Sequence, residues 1–200
     1  MAGLRERKKE QTRQQIAETA RRLFGERGFE DVTVAEIASA ADVSVQTVFN
    51  YFPTKEDLVY WRLGAFESEL LASVRERAAG EPALAAFKRF LLSQRGLLGR
   101  SDPDAYDQLA ALTRTIAASP SLQAREQQIL EGYTAALADE LGGDIQASVA
   151  AAAMIGVHRA LIAYTRGHVL AGIPQKRLQR DVKVEAERAF ALLEQGLGSY

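Results

Sequence analysis

The chain has 200 residues, a formal net charge of −1 and no cysteine. Missing cysteines exclude disulfides and thiolate metal sites, and the two histidines, His158 and His168, lack a metal-ligand spacing. No apolar N-terminal run is typical of a signal peptide. The longest uncharged stretch of the eighth predicted helix, 145–157, is too short to span a membrane. We therefore expect a cytoplasmic protein without cofactor, metal or membrane contact.

Basic residues gather at the N-terminal end of the chain. Up to Arg22 there are seven basic and three acidic residues. Residues 1–6 are predicted to form a mobile arm, and 7–27 a helix that Gly28 ends. This basic helix either follows DNA phosphates or is a solvated surface with ion pairs, and its charge alone does not decide between the two.

The stretch 33–57 contains three predicted helix starts. Thr33 and Glu36 have the spacing of a capping box, and apolar residues follow at helical intervals. Asp42 lies where the pattern breaks, and Ser44 begins a second helix as its N-cap. Pro53 ends that helix, and Thr54 caps the next. Two short helices joined by a tight turn form a helix-turn-helix motif, although helical bundles that bind no nucleic acid contain similar pairs.

The second helix of this motif exposes short polar groups near its N-terminal end. Ser44, Gln46 and Thr47 occupy the positions that meet base edges in the major groove. Gln can bond to adenine in a bidentate manner, and Thr can contact a thymine methyl. Further along, Tyr51 and Lys55 are suited to phosphates, although either is also compatible with a purely structural role.

The segment from about Lys8 to Val59 resembles the N-terminal DNA-binding domain of the TetR family of bacterial transcriptional regulators. Order and spacing both agree over roughly a quarter of the chain. The matching residues are Thr12, Arg13, Ile16, Ala20, Leu23, Phe24, Gly28, Phe29, Thr33, Val34, Ile37, Ala38, Ala41, Val43, Ser44, Thr47, Asn50, Tyr51, Phe52, Pro53, Lys55, Glu56 and Leu58.

The resemblance implies roles for individual residues. Thr33, Tyr51 and Lys55 fall on phosphate-contacting positions, and Val45, Gln46, Thr47 and Phe49 fall where base or groove contacts are made. Two residues depart from the family pattern: Asp42 replaces the usual Gly, and Phe49 replaces a phosphate-binding Tyr. Phe49 is then expected to meet a thymine methyl or a sugar. The complete set of candidate DNA contacts is Thr33, Ser44, Val45, Gln46, Thr47, Phe49, Asn50, Tyr51 and Lys55.

The rest of the chain shows helical periodicity and no strand alternation, so we predict an all-α protein of about nine helices. A three-helix DNA-binding domain, 1–53, is followed by a larger effector-binding and dimerisation domain, 54–200. Later helices are predicted at about 54–78 and 82–98, from Asp102-Pro103 onward, from Ser119-Pro120 to about 141, and at about 144–170 and 175–195. The fourth helix begins in the first domain and continues into the second, so we expect it to transmit conformational changes between them.

The eighth predicted helix is apolar almost all round from Val149 to Tyr164, which requires cover on every side. We expect it to pair with the ninth helix in a four-helix dimer bundle, although both helices could instead simply close the core of a monomer. The candidate dimer residues are Ala153, Val157, Leu161, Tyr164, Val182, Ala186 and Phe190.

The favoured function is a repressor that binds a palindromic double-stranded DNA operator as a homodimer and is released by a small effector. The effector is unknown; scarce charge and many aromatic side chains favour an apolar or aromatic compound. Candidate pocket residues are Trp61, Phe66, Phe87, Phe90, Tyr106, Leu109, Thr113, Tyr133, Met154 and His158. One alternative is a DNA-binding protein without an effector. The other is an enzyme, but the sequence has no catalytic triad order, metal cluster or phosphate loop.

Overall fold

The computed structural model describes residues 2–93 and 103–196. Within these ranges the chain forms nine α-helices and no strand, which confirms the predicted all-α class. The helices are α1 (Ala2–Arg27), α2 (Val34–Ala40), α3 (Val45–Tyr51), α4 (Leu63–Arg75), α5 (Ala83–Leu91), α6 (Pro103–Ala118), α7 (Pro120–Glu140), α8 (Ile145–Leu170) and α9 (Gln175–Gln195).

Several helix ends differ from the sequence prediction. Residues 2–6 of the expected arm are instead the start of α1, which begins at Ala2. Helix α5 ends at Leu91 rather than near residue 98, and positions 94–98 of that prediction lie outside the described residues. The predicted stop of α1 is confirmed, because Gly28 has a φ of 87° and its N–H donates to Phe24 O at 2.9 Å.

The chain divides into two compact units. The N-terminal unit comprises Met1–Leu63 and Thr115–Arg125, and the C-terminal unit comprises Gly64–Arg114 and Glu126–Tyr200. The N-terminal unit therefore extends beyond Pro53, the end of the domain that the sequence predicts. Helices α4, α6 and α7 each contribute residues to both units.

The N-terminal unit has one small hydrophobic core beneath α1, α2 and α3. Phe24 and Phe29 are in ring contact at 5.0 Å, with the Phe29 ring supplied by the loop after α1. Leu23 and Val43 are only half-buried. The buried side chains of this core include Ile16, Phe24, Phe29, Ile37, Ala38, Val48 and Phe52.

The segment after α3 is not the continuous helix that the sequence predicts. Thr54 and Asp57 do form the expected cap, with Thr54 N–H donating to Asp57 Oδ2 at 3.0 Å. The turn that follows, Glu56–Leu58, is a short 3₁₀ helix, and α4 begins only at Leu63. Tyr60 lies in this interruption, where its buried hydroxyl donates to Leu122 O at 2.9 Å. Packing against the α6–α7 junction thus accompanies the break in the helix.

The α6–α7 junction is part of the N-terminal unit. Ser119 Oγ donates to Glu30 Oε1 at 2.6 Å, close to the loop that leads into α2. Arg125 pairs with Asp57 at 2.8 Å. These polar contacts join residues that are far apart in the chain, so this unit is completed by a segment from the second half of the sequence.

In the C-terminal unit, α8 and α9 pack against each other and α5 packs on α8. Phe87 of α5 meets Phe190 of α9 with ring centroids 6.1 Å apart, and both side chains are fully buried. Among the described helices, α8 alone is long and apolar enough, by length and composition, to cross a membrane. Since the apolar core helix of a soluble protein passes the same test, this property does not by itself indicate a membrane segment.

Candidate nucleic-acid interface

Helix α2 begins with the capping box that the sequence predicts. Thr33 Oγ1 accepts from Glu36 N at 3.2 Å, and Thr33 N donates to Glu36 Oε2 at 2.8 Å. Arg27 donates to the other carboxylate oxygen of Glu36 at 2.7 Å. The backbone hydrogen bond from Thr33 is the main reason that the pKa of Glu36 falls from 4.5 to about 2, and Arg27 adds to the effect. The start of α2 is therefore fixed by a charged cap.

The turn between α2 and α3 is a Schellman motif. Val43 N–H donates to Ala38 O at 3.0 Å and Asp42 N–H donates to Ser39 O at 3.2 Å. Asp42 has a φ of 54°, the left-handed region in which Gly is usual. Asp tolerates this region better than most residues, so the turn forms without the family's Gly.

Helix α3 is fixed at both ends. Ser44 Oγ accepts from Thr47 N at 3.0 Å and lies 2.7 Å from Thr47 Oγ1. At the other end, Phe52 is extended with ψ 96° before Pro53, and its ring is buried. Ser44 and Thr47, which the sequence assigns to base contacts, therefore hydrogen-bond to each other in this structure.

The outward surface of α3 consists of two short rows. Val45 and Phe49 form an apolar row and are 40% and 43% exposed, while Val48 on the inner side is 1% exposed. Gln46 and Asn50 form a polar row, in which Gln46 Nε2 donates to Asn50 Oδ1 at 3.1 Å. All four candidate residues are thus brought together on one exposed face.

The three candidate phosphate contacts are less uniform. Thr33 is exposed, but its hydroxyl is bonded to Glu36 at 2.8 Å. Tyr51 is half-buried. Lys55 Nζ lies 4.3 Å from the centre of the Phe29 ring and donates to Glu30 O at 3.3 Å. The ammonium group of Lys55 therefore has a structural position within the N-terminal unit, in addition to any contact with DNA.

Within the N-terminal unit, the exposed basic side chains lie mainly on α1. Arg7, Lys8, Lys9 and Arg21 are exposed along this helix, and Arg22 is engaged with Glu26 at 3.2 Å. Arg13 is half-buried instead and donates to Trp61 O at 3.4 Å. The exposed cations belong to the same unit as α3, where they can attract a polyanion.

A tight turn, a rigidly capped second helix and an exposed contact face on that helix define a helix-turn-helix DNA-binding protein. The sequence model described as "Bacterial regulatory proteins, tetR family" matches residues 16–60. Residues 16–60 therefore match the TetR family, and the curated relatives of the chain are transcriptional regulators of that family, which are not enzymes.

Two relatives and one solved structure illustrate this similarity. The chain is 32% identical over 138 residues to the transcriptional regulator TcmR of Streptomyces glaucescens, covering 66% of this chain and 61% of TcmR. It is 34% identical over 96 residues to the transcriptional repressor AcnR of Corynebacterium glutamicum, covering 48% and 44%. The matches thus span less than two thirds of either relative. The fold resembles that of NalD from Pseudomonas aeruginosa, with a TM-score of 0.59 and 19% identity over 91% and 96% of the two chains.

Four of the predicted pocket residues form one aromatic cluster in the C-terminal unit. The Phe66 ring lies 5.3 Å from Phe90, 6.2 Å from Tyr133 and 5.2 Å from His158, stacking on the last two. Phe66 is half-buried, whereas Phe90, Tyr133 and His158 are buried. Burial raises the pKa of Tyr133, and the charge of Glu67 adds to this effect.

Two buried polar atoms of the C-terminal unit have no hydrogen-bond partner within the described chain. They are Nδ1 of His158, which is 5% exposed, and Oγ1 of Thr113, which is 2% exposed. Burial lowers the pKa of His158 to about 4, so the ring is neutral at physiological pH. A buried polar atom without a partner is unfavourable in an apolar core and is a usual feature of ligand sites.

The other predicted pocket residues are not among the ring contacts of this cluster. Trp61 belongs to the N-terminal unit. Tyr106 and Leu109 pack on a cluster around Val169 and Val182, and the Tyr106 hydroxyl donates to Ile173 O. The remaining two, Phe87 and Met154, are buried core residues.

Five of the seven predicted dimer residues are buried within this single chain: Val157, Leu161, Val182, Ala186 and Phe190. They form the protomer's own core, and Ala153 and Tyr164 are half-buried beside it. The opposite face of α8, which is absent from the predicted dimer residues, is exposed. Its residues follow a heptad-like spacing of mostly small side chains: Ile145, Val149, Ala152, Gly156, Ala160, Ala163, Gly167 and Leu170.

Proposed function

We propose that this chain is a cytoplasmic transcriptional repressor that binds a near-palindromic operator as a homodimer. A small apolar or aromatic compound bound in the C-terminal unit releases it from DNA. The observation that carries the DNA-binding part is the exposed face of α3, where Val45, Gln46, Phe49 and Asn50 stand clear of the core. Major-groove recognition requires such a face on a helix whose backbone is already fixed.

The proposed dimer uses the exposed face of α8. Small side chains at Ala152, Gly156, Ala160, Ala163 and Gly167 permit a close approach of two helices. Ile145 and Val149, which are 78% and 63% exposed, add apolar area that a second copy would bury. A two-fold dimer presents two copies of α3 to half-sites about 34–36 Å apart, which is why the operator is expected to be a near-palindrome.

The proposed effector site is the aromatic cluster around Phe66. A half-buried aromatic ring stacked on buried Tyr133 and His158 offers flat apolar surface to a ligand. The unpaired Nδ1 of His158 adds a polar group that can orient it.

Control of DNA binding is proposed to pass along helices that both units share. Residues of α6 and α7 next to Ser119 belong to the N-terminal unit, and the rest of both helices belongs to the C-terminal unit. A ligand that prefers one arrangement of these helices would change the affinity for DNA by its differential affinity for the two states.

The DNA-binding proposal is tested by selecting bound fragments from random duplexes and measuring Kd for the selected operator. Gln46→Ala should weaken binding by about 1–3 kcal/mol for a good base contact and relax the preference at one position. The matched control is Gln127→Ala, an exposed glutamine on α7 that bonds only to Glu131 among the described contacts. Failure to select any sequence, or unchanged selectivity of Gln46→Ala, would contradict the assignment.

The dimer proposal is tested at Gly156. A Cβ atom added there meets no atom within 4 Å in the protomer, so Gly156→Glu is compatible with the fold of a single chain. It would place a charge in the proposed interface and should shift the protein to monomer in sedimentation. Gly132→Glu is the control, because Gly132 on α7 is equally open. A dimer that survives Gly156→Glu would show that another surface is used.

The effector proposal is tested by screening apolar and aromatic compounds for release of the selected operator. A compound that releases the wild-type protein should lose potency with Phe66→Ala, while DNA affinity without the compound stays unchanged. If no compound releases DNA, the chain is better described as a regulator without an effector.

A further inference from the structure

Two large apolar side chains are exposed side by side on α3. Val45 and Phe49 are one helical turn apart and are 40% and 43% exposed, although the buried Val48 shows that the helix has ample apolar contact on its inner side. Nothing in the core of the N-terminal unit requires them to be apolar. Their burial on binding would be favourable in proportion to the area removed from water.

The polar row beside them has a defined donor and acceptor. Because Gln46 Nε2 donates to Asn50 Oδ1, the Gln46 carbonyl oxygen can still accept and the Asn50 amide nitrogen can still donate. Adenine presents a donor, N6, and an acceptor, N7, in the major groove, and its thymine partner presents a methyl group. An apolar row next to this amide pair therefore matches the major-groove edge of A·T base pairs.

Other groups of the motif are less suited to base recognition. Ser44 and Thr47 are bonded to each other at the start of the helix. Phe49 has no hydroxyl with which to bind a phosphate. The Phe49 ring can still contribute favourably by packing against an apolar group of the DNA and removing it from water.

We propose that α3 recognises thymine 5-methyl groups through Phe49 and Val45, and that the operator half-site contains A·T pairs at those positions. This proposal rests on the proposed DNA-binding function and names the chemistry that the site recognises. The Cα atoms of Val45 and Phe49 are about 6 Å apart along the helix axis, because they are four residues apart and each residue adds 1.5 Å. Stacked bases are about 3.4 Å apart, so the two methyl groups should lie within two base steps of each other.

The test replaces thymine by deoxyuridine, one position at a time, in the operator selected with the full chain. Deoxyuridine lacks only the 5-methyl group and keeps the pairing with adenine. We expect one or two positions per half-site at which the change weakens binding about fourfold, the value for one buried methyl-sized group. Thymines at other positions should be insensitive.

Three variants assign the contact. In Phe49→Ala the effect of deoxyuridine at one sensitive position should fall to less than twofold, since the partner of the methyl group has been removed. Gln46→Ala, the matched control in the neighbouring row, should bind more weakly but keep the full sensitivity to deoxyuridine. Phe49→Leu, which retains an apolar side chain, should keep most of the sensitivity to deoxyuridine.

The outcomes separate this proposal from the proposed function. If no DNA is selected, both fail. The methyl proposal alone is overturned by a selected half-site without thymine near α3, or by uniform insensitivity to deoxyuridine. It is also overturned if Phe49→Ala retains full sensitivity. The deoxyuridine substitutions use the wild-type protein, so the selection and the insensitivity outcomes do not depend on the folding of any variant.

Discussion

Arg125 of α7 and Asp57 of the 3₁₀ turn form an ion pair across 68 positions of sequence, with 2.8 Å between Nη2 and Oδ1. The second oxygen of Asp57 caps the backbone at Thr54. One carboxylate therefore fixes the segment after α3 and also binds it to the α6–α7 junction.

Arg125→Ala should lower the free energy of unfolding of the N-terminal unit by about 1–2 kcal/mol, because Asp57 is left partly buried without its cation. Trp61 is the single tryptophan of the chain and lies in this unit, so its fluorescence in urea reports the change. Arg177→Ala is the control: Arg177 pairs with Asp181 but is 64% exposed, and the expected change is below about 0.5 kcal/mol. Equal effects of the two variants would show that the Asp57 pair is unimportant.

Asp42→Gly should stabilise the N-terminal unit by up to about 1 kcal/mol. Asp42 is exposed with a φ of 54°, a region that Gly adopts without the steric cost of a Cβ atom. Asp42→Val is the opposing variant and should destabilise the turn, since β-branched residues avoid this region. Urea midpoints followed by Trp61 fluorescence provide the measurement. A lower midpoint for Asp42→Gly would mean that the aspartate side chain stabilises the turn more than its backbone strain costs.

Glu36 should make stability depend on pH in the acid range. Its pKa in the folded chain is about 2, against 4.5 for the ordinary group, so its stabilising effect is complete above pH 4.5 and is lost as pH falls towards 2. Glu36→Gln keeps a capping-box residue but cannot titrate. Its unfolding curves should therefore lack part of the acid dependence of the wild type. Glu10→Gln, on the exposed surface of α1, should retain that dependence.

His158 should make the stability of the C-terminal unit depend on pH, over a higher pH range than Glu36 does. Burial lowers its pKa to about 4 from 6.5, so protonation opposes folding, and stability should fall by on the order of 3 kcal/mol between pH 6.5 and 4. Imidazole proton resonances in NMR should show one ring that remains neutral to about pH 4, and His158→Gln should remove that resonance. Assignment of the low-pH titration to His168 instead would contradict this account.

Local signals in the sequence correctly predicted the small caps and turns. The Thr33–Glu36 box, the Ser44 cap, the Gly28 stop and the starts of α7, α8 and α9 all depend on residues a few positions apart, so a short stretch determines them. The all-α class follows from the same helical periodicity.

Tertiary contacts determined what could not be predicted. The predicted Thr54–Asp57 cap is present, but the helix that follows it is interrupted before Leu63. Within the interruption, the Tyr60 hydroxyl donates to Leu122 O. Lys55 has the position of a phosphate ligand in sequence, but the Phe29 ring lies beneath it. In α8, apolar residues lie on every side, so hydrophobicity does not indicate which face is buried within the chain. The heptad-like spacing of Val149, Ala152 and Gly156 is the sequence feature that marks the exposed face.

The N-terminal cap of α3 is formed by Ser44 and Thr47, and none of the four outward residues takes part in it. Changes at Val45, Gln46, Phe49 and Asn50 can alter what the helix binds without removing a cap or a core side chain. The contact face can therefore be redesigned as an exchangeable set of four residues. Libraries randomised at these positions should yield folded proteins with new operator preferences at high frequency.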